Sequence, residues 1–125
     1  MGSSPNARPK IKVKGVQSQW YVEAGDLGRI ATCHGCYITR AGYCYDHKAR
    51  QGDKVDPSWL RKHDELVSLL REKKLVVLTQ DEVTEGDPLP TIRRTGYSGI
   101  FSIDDVNEVD GVLTFRLVER IADVV

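Results

Sequence analysis

Four side chains that are able to bind a metal ion lie close together between residues 33 and 47. They are Cys33, Cys36, Cys44 and His47, and they include all three cysteines of the 125-residue chain. Zinc binds thiolate sulfur and imidazole nitrogen in tetrahedral geometry, and ligands separated by two residues are typical of a zinc knuckle. The spacing therefore predicts one structural Zn²⁺ per chain, with no open position for water or substrate.

Other interpretations of these residues remain open from the sequence. His34 is an alternative to His47 as the fourth ligand. Cysteines are also common as small buried residues without a metal, and the Cys33–Cys36 spacing matches that of a redox pair. A disulfide would leave one of the three cysteines over, and nothing in the sequence indicates export.

The segment Tyr45–Lys48 resembles the Asp-His start of a ββα-metal nuclease, a family that also carries a cysteine pair upstream. The resemblance covers four residues, and the asparagine and second cysteine pair of the family are absent downstream. It implies a metal-dependent nuclease as an alternative function. In that case Asp46, His47 or His63 would take part in catalysis.

Basic and aromatic residues around the predicted zinc ligands indicate a contact surface. The predicted partner-binding residues are Lys12, Lys14, Arg40, Lys48, Arg50, Tyr37 and Tyr43. Tyrosine and arginine are enriched at the energetic centres of protein interfaces, and the same residue types suit phosphate contact and base stacking. The sequence predicts a small zinc-binding interaction or regulatory module that contacts a protein partner. A nucleic-acid-binding zinc module is the alternative.

The charges are unevenly distributed although the net charge is zero. Residues 1–75 contain 14 Lys/Arg against 8 Asp/Glu, and residues 76–125 contain 4 against 10. Such a split fits two surfaces with different partners or two halves that attract each other. The chain contains no apolar run long enough to cross a bilayer, and its first residues lack the apolar stretch of a signal peptide. We therefore expect a cytoplasmic protein without membrane contact.

One amphipathic helix is predicted at about residues 56–74. Asp56 is suited to the N-cap, and Pro57 to the first helical position. Leu66 and Leu70 recur on one face of the predicted helix, as expected for a face that packs on a core.

Short alternating segments elsewhere predict strands. They cover residues 10–14, 20–22, 27–32, 75–79, 91–95, 100–103 and 112–118, and a hairpin is predicted at 36–45. Asp-Gly at 110–111, flanked by apolar residues, is a strong hairpin signal. Residues 80–90 are predicted to form a loop, and residues 96–99 a turn.

The predicted fold class is α+β. It consists of a small antiparallel, partly barrel-like sheet, one amphipathic helix and a zinc-knuckle insertion. Residues 1–9 are expected to form a disordered arm. Residues 10–125 form a single domain in this prediction, with the knuckle at residues 30–48.

Overall fold

A nine-stranded β-sheet and one α-helix make up the fold in the part of the chain that the structure describes. The computed structural model describes residues 8–16, 19–47, 56–87 and 89–125. The helix, α1, spans Pro57–Lys73. The strands are β1 (Lys10–Ile11), β2 (Lys14–Gly15), β3 (Tyr21–Glu23), β4 (Arg29–His34), β5 (Ile38–Thr39), β6 (Gly42–Asp46), β7 (Leu75–Thr84), β8 (Thr91–Val109) and β9 (Val112–Val124). The predicted α+β class is confirmed.

Helix α1 begins and ends where the sequence predicts. The Asp56 carboxylate accepts a hydrogen bond from the Ser58 amide at 2.7 Å, which satisfies one of the amides that a helix start leaves free. At the other end Lys74 takes a left-handed conformation with φ of 54°, and its amide donates to the Leu70 carbonyl. No helix among the described residues has the length and apolar character needed to cross a bilayer.

The sheet is mixed rather than purely antiparallel. Its strand order is β2-β3-β4-β7-β8-β9-β6-β5, and β1 also pairs with β9. Most pairs are antiparallel, but β4 and β7 are parallel, as are β1 and β9. Parallel neighbours need a long crossover connection, which β5, β6 and α1 provide between β4 and β7.

The predicted barrel-like curl is wrong. The sheet is open, because its end strands β2 and β5 do not pair with each other among the described residues. The strands within the predicted zinc-knuckle segment, residues 30–48, belong to this sheet, since β4 pairs with β7 and β6 pairs with β9. The zinc-knuckle insertion itself stays a prediction. Of the predicted arm, residues 1–7 lie outside the described residues, and Pro9 accepts a hydrogen bond from the Asp123 amide.

Two strands are longer than the sequence predicts. Strand β7 continues to Thr84, through part of the predicted loop, and β8 passes through the predicted turn at 96–99. Pairing with distant strands extends them. The first half of β8 pairs with β7 and its second half pairs with β9, so polar residues in these segments take part in the hydrogen bonding of the sheet. The predicted Asp-Gly turn is confirmed, with φ of 51° at Asp110 and 81° at Gly111.

Each face of the sheet carries its own core, because successive strand residues point to opposite faces. On the helix side, Val76 and Leu78 pack with the α1 residues Leu66 and Leu70. On the far side, Val77 lies in an aliphatic cluster. Its buried members are Val22, Ala24, Ile30, Val77, Ile100 and Ala122, and Ile11 and Val13 of the N-terminal segment pack against it. We call these the helix-side core and the far-side core.

Candidate functional site

A cavity of about 420 Å³ lies at one end of the helix-side core. It is bounded by the end of β4, by β6 and by the first turn of α1, and many of its lining side chains carry rings. The ring-bearing residues are Trp20, His34, Tyr43, Tyr45, His47 and Trp59. Gln19, Thr32, Thr79 and Arg94 add polar groups. A concave, mostly apolar site with a few converging polar groups is the usual form of a ligand pocket.

The rings that line the cavity are in contact with one another. The ring centroids of Trp20 and Trp59 are 5.4 Å apart in an edge-to-face arrangement. Tyr45 lies 4.3 Å from His47, and His47 lies 5.3 Å from Trp59. These spacings are those of favourable aromatic pairs. The rings that line the cavity therefore hold one another in position.

His47 is the most central of these rings, and it is neutral at physiological pH. Only 5% of the residue is exposed, and its Nε2 atom has no hydrogen-bond partner among the described residues. Burial lowers the pKa of His47 to about 3, with a further contribution from His63, while Asp46 opposes the shift. A buried ring nitrogen without a partner beside a cavity is available to a ligand.

The α1 residue His63 packs against His47. Its ring centroid is 4.4 Å from that of His47, and its Nε2 atom is 3.3 Å from a carboxylate oxygen of Glu108. The other ring nitrogen, Nδ1, is buried without a partner in the described part of the chain. The structure thus brings together two of the residues named for the nuclease alternative. The third, Asp46, is exposed in β6. The nuclease alternative stays a prediction.

A covered carboxylate holds His34 at the edge of the cavity. The Asp81 side chain is fully buried, and its Oδ1 atom accepts from Thr79 Oγ1 at 2.7 Å and lies 3.2 Å from His34 Nδ1. The Cys36 amide donates to Asp81 Oδ2 at 3.2 Å. Burial by itself would raise the pKa of Asp81, but these hydrogen bonds outweigh it and lower the pKa. Asp81 is therefore ionised at neutral pH.

The predicted zinc ligands occupy different surroundings. Cys33 is buried in the helix-side core, whereas Cys36 and Cys44 are exposed. Burial raises the pKa of the Cys33 thiol to about 12, and a hydrogen bond with Tyr43 only partly opposes this. In β6, Cys44 lies between Tyr43 and Tyr45, so strand alternation directs it to the opposite face from both tyrosines.

The geometry does not add support for zinc. Among residues 8–16, 19–47, 56–87 and 89–125, no group of three or more His, Cys, Asp or Glu side chains is placed to hold a metal ion. Cysteine binds zinc as thiolate, and the pKa of Cys33 favours the thiol. Zinc coordination by Cys33, Cys36, Cys44 and His47, or by His34 as the fourth ligand, stays a prediction.

The predicted partner-binding residues do not form one patch. Lys12 and Lys14 are exposed on the N-terminal segment. This segment follows β1, which pairs with β9 at Asp123, whereas Tyr43 pairs with β9 at Phe115. Asp123 and Phe115 are eight residues apart, which corresponds to roughly 25 Å along a strand. Tyr43 is also buried, with its ring stacked on Phe115 at 4.5 Å. Tyr37 is half-buried, Arg40 is exposed, and Lys48 and Arg50 lie outside the described residues.

Sequence reasoning missed the two tryptophans and Asp81 as site residues. Trp20 lies in the predicted strand at 20–22 and Trp59 in the predicted helix at about 56–74. The available signal was that both tryptophans of the chain lie near the histidine- and tyrosine-rich segment in sequence. Comparisons with family models, curated proteins and solved structures found no match for this chain.

Proposed function

We propose that the protein binds nucleic acid by accepting one unpaired base into the aromatic cavity. The observation that carries this proposal is the convergence of Trp20, Tyr45, His47 and Trp59 on one cavity of about 420 Å³. A nucleobase is a flat heteroaromatic ring, and stacking on aromatic side chains contributes about 1–3 kcal/mol per base. A base that is paired within a duplex is not accessible to such a cavity, so the ligand is an unpaired or extruded base.

The polar and charged groups near the cavity support a base that is attached to a phosphate backbone. Gln19, Thr32 and Thr79 can hydrogen-bond the edge of a ring, and Arg94 is an exposed cation in the lining. The Arg94 guanidinium lies 5.3 Å from the ring centroid of Tyr97. Arg94 therefore supplies a cation beside the cavity that suits phosphate contact.

This proposal corresponds to the nucleic-acid alternative of the sequence analysis, without a requirement for zinc. The prediction of a protein partner depends on exposed tyrosines beside Arg40 and the lysines. Burial of Tyr43 weakens that interpretation, since a side chain inside the core does not contact a partner directly. The same burial favours an internal ligand, because Tyr43 forms part of the cavity lining.

Fluorescence anisotropy with labelled oligonucleotides at low salt tests the proposal. The probes are a single strand, a perfect duplex and a duplex with one unpaired base. We expect the first and third probes to bind more tightly than the perfect duplex. Replacement of Trp59 by leucine removes the stacking surface but keeps apolar volume, so Trp59→Leu should weaken binding by about 5- to 150-fold.

The matched control is Leu60→Ala, one position along α1. Leu60 is 45% exposed and is not in the cavity lining, so this variant should bind like the wild type. Thermal unfolding of each variant separates loss of folding from loss of binding. Tyr45→Leu is a second variant that removes a ring from the cavity lining. Absence of binding at low salt, or equal affinity of wild type and folded Trp59→Leu, would show the proposal to be wrong.

A further inference from the structure

The Asp81 carboxylate determines which nitrogen of His34 carries the proton. Asp81 is fully covered and ionised, and each of its oxygens is held by a neighbouring donor. An ionised carboxylate can only accept hydrogen bonds. Since His34 Nδ1 lies 3.2 Å from Asp81 Oδ1, the Nδ1 atom must be the one that carries hydrogen.

The proton position leaves the other nitrogen of His34 as an acceptor. In a neutral imidazole one nitrogen donates and the other accepts, so Nε2 presents a lone pair. In the described part of the chain, the hydrogen bond of His34 is made through Nδ1, and 38% of its side chain is exposed. The residue lines the cavity, and its ring lies 6.3 Å from that of Tyr45. The cavity therefore has a hydrogen-bond acceptor of fixed orientation at its edge.

We propose that His34 Nε2 accepts a hydrogen bond from the exocyclic amino group of the bound base, so that the cavity selects a base with such a group, for example cytosine or adenine, over an analogue that lacks it. This inference rests on the proposed function and names its ligand class. Asp81 acts as a positioning residue, because it touches His34 and is not part of the cavity lining. A base without the amino group would leave the His34 Nε2 acceptor unpaired, and this loss of a hydrogen bond lowers the affinity of the cavity for that base.

Matched oligonucleotides test the selection. One pair contains an unpaired cytosine or 2-pyrimidinone, and the other an unpaired adenine or purine, so that each pair differs by one amino group. We expect the wild type at pH 8 to bind the amino-bearing member of at least one pair about tenfold more tightly. The folded variant His34→Phe, which keeps a ring but has no acceptor, should bind both members of that pair equally. Leu60→Ala should discriminate as the wild type does.

The tautomer is measurable in the free protein without any ligand. Long-range ¹H–¹⁵N correlation spectra at pH 8 should show hydrogen on His34 Nδ1 in the wild type and a shift toward the Nε2–H form in Asp81→Asn. A purely structural role of Asp81 would leave the tautomer unchanged. If His34→Phe fails to fold, the wild-type tautomer and the paired oligonucleotides still decide the question.

The possible outcomes distinguish the two proposals. If no oligonucleotide binds, or Trp59→Leu binds normally, the proposed function fails and this inference fails with it. If the wild type binds unpaired bases through Trp59 but does not distinguish either pair, only the role of His34 is wrong. An Nε2–H tautomer in the wild type, or discrimination that persists in His34→Phe, would overturn it as well.

Discussion

The two faces of the sheet are packed with different kinds of side chain. The far-side core consists of aliphatic buried residues such as Ile30, Val77 and Ile100. The helix-side core includes Cys33 and Tyr43, and it continues into a region where His47 and His63 are buried, each with one ring nitrogen that has no partner among the described residues. Buried polar groups without partners destabilise a fold, so their presence beside the cavity is consistent with the ligand proposed above.

A different part of the chain covers each face of the sheet. The far side is covered by the N-terminal segment through Ile11 and Val13, and the helix side by α1. Helix α1 places Leu66 and Leu70 in the core, while Trp59, at its first turn, lines the cavity. We therefore expect changes on the far side to affect stability alone, and changes at the cavity to affect binding.

The largest effect on stability is expected for Ile30→Ala in the far-side core. Ile30 is fully buried, and truncation of such a side chain typically costs 2–5 kcal/mol, so we expect a loss of about 3 kcal/mol in urea unfolding. Val109→Ala is the control, because Val109 is 66% exposed and should change stability by less than about 0.5 kcal/mol. The folded fraction of Ile30→Ala should bind oligonucleotides normally. A lower affinity would show that the two faces are coupled.

A smaller effect, with a characteristic pH dependence, is expected at His47. Its folded-state pKa of about 3 lies below the ordinary value of 6.5, so the unfolded chain binds the extra proton first as the pH falls. The stability that the neutral ring contributes is fully present above pH 6.5 and is lost between pH 6.5 and pH 3. Between pH 7 and pH 5 the loss is about 2 kcal/mol.

The variant His47→Phe isolates this contribution. It keeps an aromatic ring in the cluster but has no titratable group, so its urea-unfolding free energy should fall less than that of the wild type between pH 7 and pH 5. Carboxylates titrate equally in both proteins, so their contribution cancels when the unfolding free energies of the wild type and His47→Phe are subtracted. Parallel pH profiles for the two proteins would mean that His47 is not held neutral by its surroundings.

The smallest effect is expected for Cys44→Ser in metal-free protein. Cys44 is exposed, and exposed positions usually change stability by less than about 0.5 kcal/mol. The zinc prediction leads to a different result for protein that is purified without added metal or chelator. In that case the wild type contains one zinc per chain, and Cys44→Ser loses both the metal and several kcal/mol of stability. Metal analysis together with unfolding in the presence and absence of EDTA separates the two results.

Local signals in the sequence were sufficient for the elements that local interactions stabilise. The Asp56 cap, the Pro57 start and the apolar stripe of α1 act within a few turns of helix, and the structure confirms all three. The Asp-Gly turn at 110–111 depends on two positive φ angles, which these two residues readily adopt. The α+β class followed from adding such elements together.

Features that depend on contacts between residues far apart in the chain could not be predicted from the sequence. Strand β8 passes through Gly96 and Gly99, which predict a turn by themselves, because β7 and β9 supply ladder partners on either side. The spacing of Cys33, Cys36 and Cys44 predicts one metal site, which stays a prediction, but spacing alone did not show that Cys33 in β4 is buried and Cys44 in β6 is exposed. Strand alternation, which sets these directions, depends on pairing and burial rather than on spacing.

The sequence by itself determined α1, the 110–111 hairpin and the concentration of histidine and tyrosine around residues 34–47. Tertiary structure alone decided that Trp20, His47 and Trp59 surround one cavity and that Asp81 orients His34 from 47 residues away. The physical reason is that helix caps and turns depend on interactions between near neighbours in the chain. A cavity depends on side chains from several elements, whose positions are set only when the sheet pairs and the helix packs on it.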